Sequence, residues 1–300
     1  MTPFNGLSAF PITPADESGQ VDTEALSRIL TPIKAAKADS VGLLGSTGSY
    51  AYLNREERRR AVNAAAETIN NALPLIVGVG ALRTSDTVAY AQDAQEAGAT
   101  ALLVAPISYT PLTQDEVYAH FSAIAEATDL PICIYNNPST THFSFGLPLL
   151  QRLAEKSNIA AVKMPLPASG TILDNLAQLR TNLPDDFSIG YSGDWGCADA
   201  LLAGADTWYS VVGGILPLLA QSLTLAAQSG DEILTQKADH ALKPLWSLFQ
   251  EFGSLRVVYA IANQIGMTDA APPRPILPLD KAAHELVASA LKSMGVLADA

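Results

Sequence analysis

Cysteine is nearly absent from this 300-residue chain, which holds only Cys133 and Cys197. Two thiols cannot build a disulfide framework, and such scarcity suits a reducing, cytoplasmic setting. Basic residues are also few. Eighteen Lys and Arg against 30 Asp and Glu leave a net charge of −12, so the basic face that nucleic acids or anionic membranes require is missing. The one basic cluster, Arg58-Arg59-Arg60, follows Glu56-Glu57 and reads as the solvated side of a helix. No N-terminal basic-then-apolar signal is seen, and no apolar run reaches the roughly 18 residues of a membrane span. The expectation is a soluble, cytoplasmic protein. The four histidines, His120, His142, His240 and His284, are scattered, without the short-spaced pair of a zinc-dependent aldolase. No metal is expected. Neither a Ser/His/Asp set nor a phosphate-binding loop stands out.

What the chain does contain is repetition. Short apolar or β-branched runs occur at 7–12, 40–46, 75–80, 101–106, 131–137, 159–164, 187–193 and 207–213, each ending in glycine, proline or small polar residues. Helical patterns lie between them. Asn54 with Glu57 and Thr113 with Glu116 have the spacing of capping boxes, and Asp22 is a further cap. Strands alternating with helices imply parallel pairing, and eight such units imply a closed (β/α)8 TIM barrel, which takes about 250 residues. A doubly wound open sheet competes, but the first strand-to-helix turn lacks a dinucleotide fingerprint. The reading is a barrel over residues 1–229 with a C-terminal helical extension over 230–300. That extension has helical stretches at 231–249, 255–265 and 281–294. In the last, Ala283, Leu286, Val287, Ala290, Leu291 and Met294 form an apolar stripe. The four-proline segment 270–278 reads as an extended surface connection. The helices pack on the barrel or form a subunit contact; the pattern is compatible with both.

Barrel enzymes place their chemistry at the carboxyl ends of the strands. Of the eight lysines only Lys163 falls within a predicted strand. Alternation puts it on one face with Ile159 and Ala161. An ammonium enclosed there is costly, and the neutral amine that enclosure favours is the form that attacks a ketone. Snorkelling from the strand end, or pairing with a buried acid, is the competing role, although no Asp or Glu lies on the neighbouring strand runs. In the fifth run Cys133, Tyr135 and Asn137 share a face opposite Ile132 and Ile134, which turns the phenol inward beside Lys163 as a proton relay. A core tyrosine with a satisfied hydroxyl is the alternative, and Cys133 reads as a small core residue. The turn Gly45-Ser46-Thr47-Gly48-Ser49 offers backbone N–H groups and hydroxyls as a carboxylate seat. Ser192-Gly193 and Gly213-Gly214 form a rival, phosphate-type grip.

The motifs GSTGS (45–49), IYNNP (134–138), AVKMP (161–165) and YSGD (191–194), in this order and spacing, resemble the dihydrodipicolinate synthase / N-acetylneuraminate lyase family. The resemblance implies a class I lyase without metal or other cofactor, in which Lys163 forms the Schiff base and Tyr135 transfers protons. It implies Ser46 in the proton relay, Thr47 and Gly48 holding the 2-oxo acid carboxylate, and Gly193 and the backbone at Tyr209 lining the pocket. It also implies that Tyr109 reaches a neighbouring subunit's site, within a homotetramer that is a dimer of dimers. The synthase branch carries an arginine where this chain has Thr140; Ser49 and Met164 also depart from the pattern. The expected reaction is aldol cleavage or condensation, or dehydration, of pyruvate or a 2-oxo-3-deoxy acid. The alternatives are 4-hydroxy-tetrahydrodipicolinate synthase, condensing pyruvate with aspartate semialdehyde, a non-catalytic 2-oxo acid sensor, and a metal-dependent phosphosugar enzyme.

Overall fold

The computed structural model describes residues 2–298. Eight parallel strands close into a barrel in chain order. They are β1 (Gly6–Ala9), β2 (Ser40–Leu43), β3 (Leu75–Gly78), β4 (Ala101–Val104), β5 (Ile132–Tyr135), β6 (Ile159–Pro165), β7 (Ser188–Ser192) and β8 (Thr207–Ser210). Every run read from the sequence forms its strand, but most strands stop two or three residues early. The remainder of each run turns into the loop at the carboxyl end. Strands buried on both faces appear as unbroken apolar runs, so the run alone does not mark where pairing ends.

Two layers of packing follow from the two-residue period of a strand. Phe10, Ile76, Leu103, Cys133, Tyr135, Ala161 and Tyr209 fill the barrel interior. Val41, Val77, Leu102, Ile132, Ile134, Val162 and Trp208 face the helices. Tyr135 and Cys133 point inward with Ile132 and Ile134 outward, as alternation requires. The expectation for β6 fails at its first residue. The β5–β6 register runs Ile132↔Ile159 and then Cys133↔Ala161, so Ala160 is skipped in a bulge. Ile159 therefore packs outside, and alternation resumes only from Ala161.

The helix starts are largely as read. Asp22 accepts from Ala25 N–H, and Thr113 with Glu116 makes a reciprocal box. Asn54 caps its helix through Glu57 N–H, but the Glu57 carboxylate accepts instead from Val21 N–H. Arg58 corrects the reading of the basic cluster. It is only 8% exposed, lies over the rings of Tyr50 and Tyr90, and donates to the Leu53 and Gly80 carbonyls. Arg59 and Arg60 are exposed.

After the helix Pro217–Gln228 come Glu232–Phe252, Ser254–Gln264 and Lys281–Ser293. Leu242, Phe249, Val257 and Leu291 join the same apolar cluster as the outer barrel face, and the Tyr259 hydroxyl donates to Thr13 O at 3.4 Å. These helices thus pack on the barrel. The stripe of the last helix is narrower than its sequence pattern, since Leu286 is exposed while Ala283, Val287, Ala290 and Leu291 are buried. Among the described residues no helix is long and apolar enough to cross a membrane.

Candidate active site

A cavity of about 790 Å³ opens at the carboxyl ends of the strands. Lys163, 5% exposed, contributes its amine to the floor. Pairing of Tyr135 with Lys163 across β5 and β6 makes the two side chains neighbours. On the other side Lys163 pairs with Gly190, where a β-carbon would collide with the Tyr209 ring and the Thr207 carbonyl. The glycine leaves room for that ring. The amine lies 4.0 Å from the ring centre of Phe10, 4.5 Å from Tyr135 and 5.5 Å from Tyr209. Phe10 and Tyr209 meet edge to face at 5.9 Å. Three aromatic rings thus surround one nitrogen, an arrangement that attracts a cation through the ring quadrupoles.

The Tyr135 hydroxyl has two partners, Ser46 Oγ at 3.1 Å and the Asn137 amide, which donates at 2.8 Å. The amide donates to the phenol oxygen, and between the Tyr135 and Ser46 hydroxyls either can donate, which makes a pair of exchangeable protons beside the amine. Tyr209 differs: its hydroxyl meets Cys133 Sγ at 3.3 Å in the barrel core. Burial pushes the Cys133 thiol up to about 12 and the Tyr209 phenol well above its ordinary value. Both groups are therefore held neutral.

The Gly-Ser-Thr-Gly turn lies over β2, with Ser46 and Thr47 on the cavity wall. Its glycines are not at positive φ. The left-handed positions are Leu44 (φ 55°) and Ser49 (φ 54°). Gly45 has no room for a β-carbon against the Phe10 ring, and Gly48 none against the Leu44 backbone. Both glycines permit close packing, and Gly48 itself is set back from the cavity wall. The rival grip is divided. Ser192 and Gly193 line the cavity, whereas Gly213 and Gly214 are buried, Gly213 N–H on Ser210 Oγ and Gly214 against the Phe10 backbone.

Several contributors escaped the sequence reading. Phe10 stands in the first strand run, far along the chain from Lys163, with no motif to mark it. Asp194 is the acid passed over, because it follows the β7 run by one residue. Its fully buried carboxylate accepts from Trp208 Nε1 and from the N–H groups of Val211 and Val212. Burial outweighs those donors and the nearby Lys163, raising Asp194 to about 6. Among the described residues the ion pairs are Arg55–Asp93, Arg152–Asp115, Arg180–Asp206 and Lys281–Glu285; none involves Lys163. Phe249, Leu255 and Ile276 from the C-terminal helices and the proline segment also wall the cavity. Tyr109 takes no part in its own cavity and is 98% exposed. Among the described residues no three His, Cys, Asp or Glu side chains converge as a metal site would need.

Comparison with known proteins agrees with this geometry. The Dihydrodipicolinate synthetase family model matches residues 3–294. The 4-hydroxy-tetrahydrodipicolinate synthase of Albidiferax ferrireducens is 34% identical over 290 residues, 95% of each chain. That of Coxiella burnetii strain RSA 493 is 30% identical over 294 residues, 98% of this chain and 99% of that protein. Among solved structures, dihydrodipicolinate synthase from Agrobacterium tumefaciens superposes with a TM-score of 0.96 at 58% identity, covering 97% of this chain and 98% of that one. A match along nearly the whole length, joined to a closed barrel with an enclosed lysine, leads to one statement: this chain belongs to the dihydrodipicolinate synthetase family.

Proposed function

We propose that the protein is a class I lyase that binds pyruvate or a related 2-oxo acid covalently on Lys163. The observation that carries this is the enclosed amine, ringed by Phe10, Tyr135 and Tyr209, next to a Tyr135 hydroxyl linked to Ser46. The amine adds to the ketone carbon as the carbonyl π pair moves to oxygen. That oxygen takes one proton given up by the nitrogen and a second from the relay, and leaves as water while the nitrogen lone pair forms the C=N bond. Tyr135 and Ser46 carry the protons of these steps. The iminium so formed is positively charged while its nitrogen keeps its proton, and the three rings favour that charged form. It withdraws electrons from the adjacent carbon, so a C–H or C–C bond there breaks with its electron pair feeding an enamine, and in a dehydration that enamine expels the hydroxyl of the next carbon along, all without a metal. The substrate carboxylate is seated at the turn of Ser46, Thr47 and Gly48, and Gly193 and the Tyr209 backbone complete the pocket.

The exposure of Tyr109 is compatible with a role in a neighbouring subunit's site, and the reading includes a homotetramer in the cytoplasm. Residues 1–229 act as the barrel and 230–300 as an extension that closes one side of the cavity. Incubation with pyruvate and borohydride should add a stable mass to the peptide containing Lys163, and Lys163→Ala should abolish it. Unmodified wild-type protein would sink the reading.

A second reading, condensation of pyruvate with aspartate semialdehyde, is favoured by the names of the relatives. Thr140 weighs against it. Hydrogen bonds to charged groups contribute about 1.5–3 kcal/mol, so a neutral hydroxyl in place of a guanidinium weakens hold on a second carboxylate by roughly 10- to 100-fold. Efficient turnover of that aldehyde would establish the second reading.

A further inference from the structure

The cavity contains a second recognition surface whose chemistry differs from the carboxylate seat. β2 and β6 stand four strands apart in a closed ring of eight, so the Ser46–Thr47 turn and Leu166, just beyond β6, lie on opposite sides. A 2-oxo acid held by its carboxylate at the turn and by its ketone on Lys163 extends the rest of its carbon chain toward β5, β6 and β7. On that side Leu166 follows β6 and Trp195 follows β7, and both line the cavity, as do Phe249, Leu255 and Ile276 of the C-terminal segment. Leu166 fills the space a β-carbon would take at Gly193 and Gly196, and the Trp195 ring, 42% exposed, offers an open aromatic face.

Hydroxyls stand near by, after β5, but their protons are spent within their own loop. Ser139 donates to Asn137 Oδ1, Thr140 to Asn137 O, and Thr141 to the Asn137 and Phe143 carbonyls. Among the described residues no arginine lines the cavity, and Lys163 is the one basic side chain on its wall. Arg58 lies behind Tyr50, already bonded to two carbonyls. Asp194 has both oxygens occupied. A carboxylate would lose water here without finding a free donor proton among these hydroxyls, and a polyhydroxylated chain would find only their oxygens as acceptors, whereas an apolar group gains by burial.

We infer that the second substrate is an uncharged aldehyde with an apolar or aromatic tail, seated against Leu166 and Trp195. This rests on the Schiff-base reading. The enamine carbon attacks the aldehyde carbon, forming the C–C bond while the carbonyl π pair moves to oxygen, which takes a proton. Water then hydrolyses the iminium and frees the amine, giving a 4-hydroxy-2-oxo acid; cleavage is the reverse.

The test uses the full chain and three synthetic 4-hydroxy-2-oxo acids, bearing a phenyl, a carboxymethyl or a dihydroxyethyl group at C4, with pyruvate release as readout. The phenyl compound should exceed the other two in kcat/KM by roughly tenfold or more. In Trp195→Ala that ratio should fall toward unity, and a ratio taken within one protein is insensitive to the fraction folded. Equal or better turnover of either polar compound overturns the inference, even where borohydride trapping at Lys163 succeeds. Absence of trapping overturns the Schiff-base reading and this inference together.

Discussion

At the scale of single residues, the positions that matter combine burial with an unusual partner. Tyr135 is neighbour to the amine and bonded to Ser46, so Tyr135→Phe keeps the ring but removes the proton carrier. It should lower kcat by about 10²- to 10⁴-fold with less effect on pyruvate binding, as steady-state kinetics and calorimetry would show. Asp194 makes a prediction about pH. Its carboxyl is raised from 3.8 to about 6, so the folded state holds a proton that the unfolded state has lost. The stability contributed is complete below the unfolded value and declines as pH rises through about 6. Two pKa units correspond to about 3 kcal/mol. Denaturant midpoints compared between pH 4 and pH 7 should show this fall in the wild type and a flatter profile in Asp194→Asn. Arg58→Met would leave two buried carbonyls without a donor and remove the ring contacts, a loss of about 3 kcal/mol measurable by urea unfolding.

Elements are positioned by glycines and caps more than by propensity. A β-carbon at Gly78, the last residue of β3, would overlap the Leu44 carbonyl, and Leu44 already sits at positive φ. Gly78→Ala should therefore displace the turn that bears Ser46 and Thr47. We expect reduced pyruvate trapping accompanied by a lower melting temperature, whereas a trapping rate equal to wild type would show that the turn absorbs the extra carbon. The Thr113 box is remote from the cavity, so Thr113→Ala should cost about 1 kcal/mol of stability with kcat intact. The bulge at Ala160 has a positional consequence. By taking up one residue before Ala161 it brings Lys163 opposite Tyr135, and an unbroken register would send the amine outward.

Over the whole molecule, barrel and C-terminal helices share one apolar core. Removing residues 230–300 would uncover the partners of Leu242, Phe249 and Leu291 and open the cavity wall at Leu255 and Ile276. The shortened chain should lose its near-ultraviolet circular dichroism and aggregate. A soluble, cooperatively folding fragment would show the barrel to be self-sufficient. Assembly is the other molecular-scale expectation: if Tyr109 serves a neighbouring site, mixing Tyr109→Phe with Lys163→Ala protein should restore activity in hybrid assemblies above that of either parent.

The eight strands, their parallel order and the inward side of Tyr135 were legible in the chain, because they follow from local periodicity and from the closure of eight equivalent units, whereas the register of Lys163 opposite Tyr135 depends on the bulge at Ala160. The sequence also marked Ser46, Thr47 and Gly193 as neighbours of one strand-end surface. Tertiary structure alone decided that Phe10 and Tyr209 enclose the amine, that Arg58 turns from solvent to stack on Tyr50 and Tyr90, that Asp194 is buried, and that Phe249 and Ile276 wall the cavity. Each joins residues distant along the chain. Whether a charge is solvated or a ring faces a cavity depends on what folds against it, and no local pattern encodes that partner.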